Sequence, residues 1–434
     1  METGGGFAMK ILLVAFACHP EWGSESAAGW GSVSLLAQKH NVHVVTHAEN
    51  RNGIQIATKN KEYKGHLKLT YVGEPFKCHP NRMVARINSW RIYKKWLDQV
   101  EKEMPEILRS EQYDLIHHVT IATWRIAAPW YRFGLPTILG PVGGTASYPW
   151  KLMGMLSVFG ALFESIRNLG NSISCHMPNI VASCRRTSAI ICGNREAGEF
   201  LLRIRKRKTG IHILSSAHFS GEDISRFSKD LAAKNYQGTL NAFAGGICIG
   251  SKGIHFALQA LRVARDQGSI IQYTIASTGP ELEYLKKQTK RLGLENQVDF
   301  HNGFQHEAYR KALWQSQIFL LPSFREGSPR TILEAMLSGA VPVVVKASAQ
   351  GDIATAEVGF AVPCGGIEII INGLAQALIT LDRNRDLLKK MSSAAQIQVA
   401  KGYSTSRYLE KLEHIYSTAI KNQNAESHAR EYPL

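Results

Sequence analysis

Two glutamates eight positions apart, Glu326 and Glu334, lie in the stretch FREGSPRTILEAMLSGAVPVVV at residues 324–345. An ionised carboxylate only accepts hydrogen bonds, so each of these acids can take two neighbouring hydroxyls. Glu326 falls in a turn and Glu334 on an amphipathic helix. Ile332, Leu333, Met336 and Leu337 make the apolar face of that helix, and Arg330, Glu334 and Ser338 an adjoining polar stripe. Ser328 is expected as the N-cap and Pro329 as the first helical residue. The N–H groups of Arg330 and Thr331 then point toward the loop, where a helix start attracts phosphate. The same spacing also describes an ordinary surface ion pair between Arg330 and Glu334, with Glu326 as a turn residue.

A cation suited to a diphosphate stands in AGGICIGSKGIHFALQAL, residues 244–261, where a strand runs through a glycine-rich loop into a helix. Lys252 sits at the helix mouth, and Gly250 and Gly253 let backbone come close to a ligand. In the first half, AFACHPEWGSESAAGWGSVSLLAQ places Gly23, Ser24 and Glu25 in a turn that opens a helix. Those three read either as part of a site or as a helix cap with a solvated glutamate. His117 and His118 end a strand in YDLIHHV. Alternation sends the two rings to opposite faces, so one of them is expected to reach a cleft.

The elements that must position these groups form two series. KILLVAFA (10–17), VHVVTH (42–47), LKLTYV (67–72), YDLIHHV (113–119), PTILGP (136–141), SAIICG (188–193) and IHILSS (211–216) read as buried strands. LNAFAGG (240–246), IQYTIAST (271–278), QVDFHNG (297–303), SQIFLLPS (316–323) and VPVVVK (341–346) make the second series. Helical patterns alternate with them, which implies α/β layers on mostly parallel sheets. The polar stretch at 220–238 is the expected hinge. Two Rossmann-like domains are therefore expected at 9–217 and 239–405, followed by a C-terminal helix and loose tail at 406–434. Ligands in such folds sit beyond the carboxyl ends of the strands, in the cleft between the domains.

Bulk properties narrow the partners. A chain of 434 residues with 44% hydrophobic and 20% charged residues is an ordinary globular protein, long enough for two cores. The formal charge of +16 favours anionic partners. No recognised nucleic-acid-binding motif accompanies it, so no nucleic acid is expected. The seven cysteines are scattered without a CxxC pair and read as reduced cytoplasmic thiols. There is no Asp-x-Asp pair, and no essential metal or other cofactor is expected. Met9 is a candidate start of the chain proper, with METGGGFA as a leader. The greasy run LMGMLSVFGALF (152–163) is too short to cross a bilayer as a helix but long enough to dip into an interface. Stretch 81–99 mixes Arg and Lys with Trp90, Tyr93 and Trp96, and LLRIRKRKTG (201–210) is densely cationic. Both suit either an anionic membrane surface or a solvated helix face.

The element running from Glu326 to Glu334, with its flanking FLLPSF and small-Gly-x-Pro-Val-Val runs, resembles the E-x7-E element of the family 4 glycosyltransferases, retaining enzymes of the GT-B fold that use nucleotide sugars. The resemblance covers most of residues 10–420 and is densest in the second domain. It implies that Glu326 contacts donor-sugar hydroxyls near the reacting carbon and that Glu334 holds the ribose. It further implies that Gly327, Ser328 and the amides of Arg330 and Thr331 take part in donor binding, and that the C-terminal helix crosses back to the first domain. SKG at 251–253 is similar to the family's Arg-x4-Lys-Gly diphosphate clamp, but Ile247 stands at the arginine position. Gly23, Ser24 and Glu25 resemble a first loop near donor phosphates and acceptor. His117 or His118 occupies the place of a histidine that touches the sugar. Gly279 and Gly303 resemble turns beside the nucleotide and its base. The function so implied is retaining transfer of a hexosyl-type sugar from a UDP- or GDP-sugar to a glycan or lipid-linked hydroxyl, in bacterial exopolysaccharide or surface-glycan assembly, in the cytoplasm or peripherally at the inner face of the membrane. The mismatch at Ile247 keeps two other readings open: a scaffold relative of another class, such as a nucleotide-sugar epimerase or pseudo-glycosyltransferase, or a sugar-nucleotide binder without turnover.

Overall fold

A computed structural model describes residues 8–22, 24–59, 66–75, 82–207, 209–228, 231–302 and 304–431. The β-branched and leucine-rich runs form two all-parallel sheets. The first contains β1 (Lys10–Ala15), β2 (Asn41–His47), β3 (Leu67–Val72), β4 (Leu115–His118), β5 (Thr137–Val142), β6 (Ala189–Cys192) and β7 (Ile211–Ile213), in the spatial order β3-β2-β1-β4-β5-β6-β7. The second contains β8 (Leu240–Ile247), β9 (Ile271–Thr278), β10 (Val298–His301), β11 (Ile318–Leu320), β12 (Val341–Lys346) and β13 (Phe360–Pro363), in the order β10-β9-β8-β11-β12-β13. Every strand pair is parallel, with helices covering both faces, and this explains why the strands read as unbroken apolar runs. In each sheet the winding reverses once, between β1 and β4 and between β8 and β11. Crevices open at the carboxyl ends of such reversal points.

The long helix Thr405–Glu431 crosses back onto the first sheet, where Tyr408, Leu412, Ile415 and Tyr416 join the core formed by Ile11, Leu13, Val44 and Ile138. It extends through most of the stretch expected to be a loose tail. Lys39 and His40 hold Glu413 on its outer side at 2.7 and 2.9 Å. The strand at Phe360–Pro363 is an addition to the sequence reading. The polar stretch expected as a hinge contains the helix Gly221–Phe227, started by a reciprocal capping box between Ser220 and Asp223. It also contains Lys234, which is buried and donates to the Ser338 carbonyl at 2.5 Å. Beside it the chain passes between the sheets twice, and the two passages bond to each other: Phe219 N–H to Tyr403 O and Thr405 N–H to Phe219 O, each 2.9 Å.

A second seam lies at residues 148–157. Tyr148, Leu152 and Leu156 pack into the core of the second sheet, although their segment precedes β6 of the first. Ser157 bonds the buried Glu281 carboxylate through its hydroxyl. Tyr93 and Trp96 are fully buried in the first core, so the aromatic members of the 81–99 stretch serve packing, and only Trp90 among the three is exposed.

Burial holds several imidazoles neutral. It pushes His117 and His255 down to about 3 and His118 down to about 4, from an ordinary value of 6.5. Their stabilisation is complete above pH 6.5 and is lost as the pH falls toward the folded-state values, because only the unfolded chain takes up the protons. Urea denaturation should therefore show stability falling from pH 7.5 to pH 5, by about 1–2 kcal/mol for each such histidine. His118→Gln should lower stability at neutral pH and flatten that slope.

Candidate functional site

The reversal point of the second sheet gathers the groups singled out in its sequence. β8 ends in Gly245, Gly246 and Ile247, and β11 runs into the loop that carries Glu326. Gly246 has φ +127, and a side chain there would stand 3.7 Å from Lys252 Nζ. Lys252 itself leaves a short 3-10 turn at Gly250–Lys252 and pairs with Glu326 Oε1 at 2.5 Å. Both side chains are mostly shielded from solvent, which strengthens their attraction and makes either one costly to leave alone.

The helix next to this pair spans Arg330–Leu337. Its N-cap is Pro329, not Ser328, and Pro329 is not its first helical residue. The Ser328 hydroxyl is drawn away instead to accept the N–H of Ser216 in the other lobe, at 3.1 Å. The first-turn N–H groups of Arg330 and Thr331 have no intrahelical acceptor, as at any helix start. Ile332, Leu333, Met336 and Leu337 are buried as expected. Glu334 receives two charge-assisted bonds: Arg330 Nε on Oε1 and the Tyr309 hydroxyl on Oε2, both at 2.8 Å. Burial, then the adjacent Glu334 carboxylate, raises the Tyr309 phenol far above its usual range, so it remains a donor. The Arg330 guanidinium is half exposed, lies 4.6 Å over the Phe219 ring and reaches His218 O at 3.3 Å.

On the first lobe, Glu25 Oε1 accepts the N–H of Ile121 at 2.7 Å and so ties the first turn of the helix after β1 to the loop after β4. Ser24 begins the helix Ser24–Leu36. Gly23 and Gly303 lie outside the described residues. The expectation that His117 or His118 reaches the cleft is not met. His117 bonds Tyr416 OH at 2.6 Å and Gly140 O at 2.9 Å, while His118 bonds Tyr93 OH and Trp130 Nε1 at 3.1 Å each. The two rings do point to opposite faces, but both faces are covered and all four ring nitrogens are engaged. Gly250 faces Leu156, whose Cδ2 would stand 2.9 Å from a Cβ there, so it serves the seam between the lobes. Gly279, at φ +152, backs onto the Cys248 carbonyl.

Between the lobes lies a cavity of about 880 Å³ whose walls include Glu25, Thr123 and Arg125 on one side and Gly327, Ser328 and Arg330 on the other. His218 lines it too. Burial, then the Arg330 charge, pushes that imidazole down to about 4, so it is neutral at physiological pH. Three structural contributors escaped the sequence reading. Asn194 Nδ2 donates to the Glu326 carbonyl at 3.0 Å, and a side chain on Gly193 would meet Gly327 O at 2.3 Å. Arg325 pairs with the buried Glu164 at 2.6 Å and fixes the other flank of Glu326. Asn194 and Gly193 follow β6 directly, and that strand-end position was the available signal. Among the described residues, no three His, Cys, Asp or Glu side chains are placed to hold a metal ion.

Two facing parallel α/β lobes, a cleft at their reversal points and a C-terminal helix returning to the first lobe define a GT-B glycosyltransferase fold. Residues 248–398, within the second lobe, match the family described as "Glycosyl transferases group 1". A putative colanic acid biosynthesis glycosyltransferase, WcaL of Salmonella typhimurium, is 27% identical over 176 residues, 38% of this chain and 42% of WcaL. The amylovoran biosynthesis glycosyltransferase AmsK of Erwinia amylovora is 34% identical over 99 residues, 21% of this chain and 24% of AmsK. The chain thus matches less than half the length of these curated relatives. The crystal structure of Anabaena HepE in complex with UDP superposes with a TM-score of 0.60 at 16% identity, over 94% of this chain and all of that one.

Removing Arg325 leaves Glu164 charged and buried, so Arg325→Met should destabilise the protein by about 3–5 kcal/mol in urea denaturation. Adding Glu164→Leu to that variant should restore part of the loss, as a double-mutant cycle would show.

Proposed function

We propose that the protein is a retaining glycosyltransferase that moves a hexosyl-type sugar from a UDP- or GDP-sugar to a hydroxyl acceptor, without an essential metal, in bacterial exopolysaccharide or surface-glycan assembly. The observation that carries this reading is the grouping of Lys252, Glu326 and the Arg330–Glu334 pair at one reversal point beside the interlobe cavity. The names of WcaL and AmsK support the biosynthetic setting, and the UDP of the HepE complex supports a uridine nucleotide. The family 4 assignment is part of the same reading.

In this mechanism the Lys252–Glu326 pair is the resting arrangement. When donor binds, Lys252 turns to the diphosphate and Glu326 to the sugar hydroxyls, so neither charge is left alone in the crevice. Glu334 keeps Tyr309 as a donor and uses its remaining lone pairs for the ribose. Arg330 is half exposed and would exchange its Glu334 and His218 contacts for the phosphates, beside the amides of the helix start. The acceptor hydroxyl attacks from the face the nucleotide leaves, and a phosphate oxygen takes its proton. Stabilisation of the departing diphosphate is then the main catalytic contribution. The acceptor, a glycan or a lipid-linked saccharide, enters along the Glu25 wall. The protein would work at the inner face of the membrane; no helix among the described residues is long and apolar enough to cross one.

Ile247 favours a second reading. Its side chain is exposed at the end of β8, where the family has the second clamp cation. A nucleotide-sugar enzyme of another class, or a sugar-nucleotide binder without turnover, fits that loss.

The test is a thermal-shift series with UDP, GDP, ADP and their sugars, followed by donor turnover with product stereochemistry. One nucleotide series should raise the melting temperature by several degrees. Glu334→Ala should abolish the shift, and Glu326→Ala should keep it while lowering turnover by about 100-fold or more. Binding without turnover in the unaltered protein would replace transfer by the second reading. A shift untouched in Glu334→Ala would remove this residue from the site.

A further inference from the structure

The helix Val158–Ser174 has its polarity reversed. Gly160, Glu164, Asn168, Asn171 and Ser174 face the protein, whereas Val158, Phe159, Leu162, Ile166, Leu169 and Ile173 face outward, each more than half exposed. Ordinary surface helices do the opposite. The inward face is fixed by polar bonds: Glu164 to Arg325, Asn168 to the Tyr148 backbone at 3.1 and 2.7 Å, and Asn171 to Ser147 at 3.1 Å. Rotating the apolar stripe inward would break all of them, so the exposure is built into the fold. Ser172 is the one polar residue among the fully exposed positions of this helix. An apolar strip this long, about 25 Å at 1.5 Å per residue, is more than a scattering of surface hydrophobics.

We infer that this strip is the face by which the protein lies on an anionic lipid bilayer, with the helix in the interfacial plane. Three observations select lipid over another occupant. The strip continues beyond both helix ends through exposed amphipathic and apolar residues, Trp150 and Met177. Cations adjoin it: Lys151 is exposed beside Trp150, Arg203 lies close enough to Cys175 to act on its thiol, and the next helix, Pro178–Arg186, ends in exposed Arg185 and Arg186. Arg185 and Arg186 also share a cavity of about 760 Å³ with Arg132 and Arg207, a setting for lipid phosphates. Pairing two copies through the strip would bring like charge together in a chain of formal charge +16, whereas an acidic membrane is complementary to it. The strip thereby replaces the 81–99 stretch, whose Tyr93 and Trp96 are core residues, as the interfacial element.

The helix is also close to the cleft. Its Arg167 lines the cavity, and its Glu164 anchors the loop of Glu326. A membrane on the outer face therefore stands one helix thickness, about 10 Å, from the space where the acceptor would bind. The claim that this delivers a lipid-carried acceptor rests on the transferase reading; the docking does not.

Co-sedimentation of the full chain with vesicles tests it. Vesicles of phosphatidylglycerol and phosphatidylethanolamine should pull the protein down, and pure phosphatidylcholine vesicles far less. The double variant Leu162→Glu/Ile166→Glu should lose at least about tenfold in vesicle affinity, with an unchanged melting temperature. Arg185→Gln/Arg186→Gln, which leaves the strip intact, should weaken binding to anionic vesicles and reduce its salt dependence. No binding to anionic vesicles, or equal binding by the Leu162/Ile166 variant, overturns the proposal. So does a wild-type dimer in light scattering that the variant converts to monomer without any vesicle binding. Nucleotide-induced thermal shifts measured in the same preparations separate the two ideas: a nucleotide shift without vesicle binding leaves the transferase reading standing and removes the membrane face, and the reverse result does the opposite.

Discussion

The loop from Pro322 to Pro329 is held from both sides, and the geometry of the candidate site depends on that hold. Asn194 grips the Glu326 carbonyl, Ser216 donates to Ser328, Arg325 reaches back to Glu164, and Gly193 is bare so that Gly327 can approach. These partners come from the other lobe or, for Glu164, from the helix that follows the seam at residues 148–157. The position of Glu326 is thus a property of the whole two-lobed assembly. Loops that depend on tertiary partners in this way fix a carboxylate more closely than local turn propensity can.

Much of the architecture is legible in the sequence because a parallel sheet covered on both faces demands long apolar β-branched runs, and the runs beginning at Lys10, Val42, Leu240 and Val341 supply them. β13 is harder to see: Phe360–Pro363 is short, ends in proline and lacks a β-branched cluster. The amphipathic pattern after Pro329 locates the helix that carries Glu334, yet the capping residue differs. The serine hydroxyl has a rival donor more than a hundred residues away in sequence, and local rules do not contain it.

The histidines show the same limit in a sharper form. Alternation correctly separates His117 from His118, but it cannot reveal what covers each face. Tyr416, 299 positions distant, closes one side, and Trp130 with Tyr93 closes the other. Aromatic residues at 93 and 96 mislead for a related reason, since helical spacing fits a core stripe as well as a membrane-facing one. The 158–174 helix is the converse case. Its apolar residues recur at helical spacing as a core-facing face would, and only the bonds of its polar residues to Arg325, Tyr148 and Ser147 disclose which side is inside.

The two lobes are joined along two separate lines. At one, Phe219 is stitched between Tyr403 and Thr405; at the other, Leu156 rests on Gly250 and Ser157 clasps Glu281. A pair of jaws fastened only at the first line would swing freely. Here a second strap, residues 148–157, is anchored on the second lobe through Leu156 and Ser157 and runs on to β6 of the first, so the span between the lobes has two tethers.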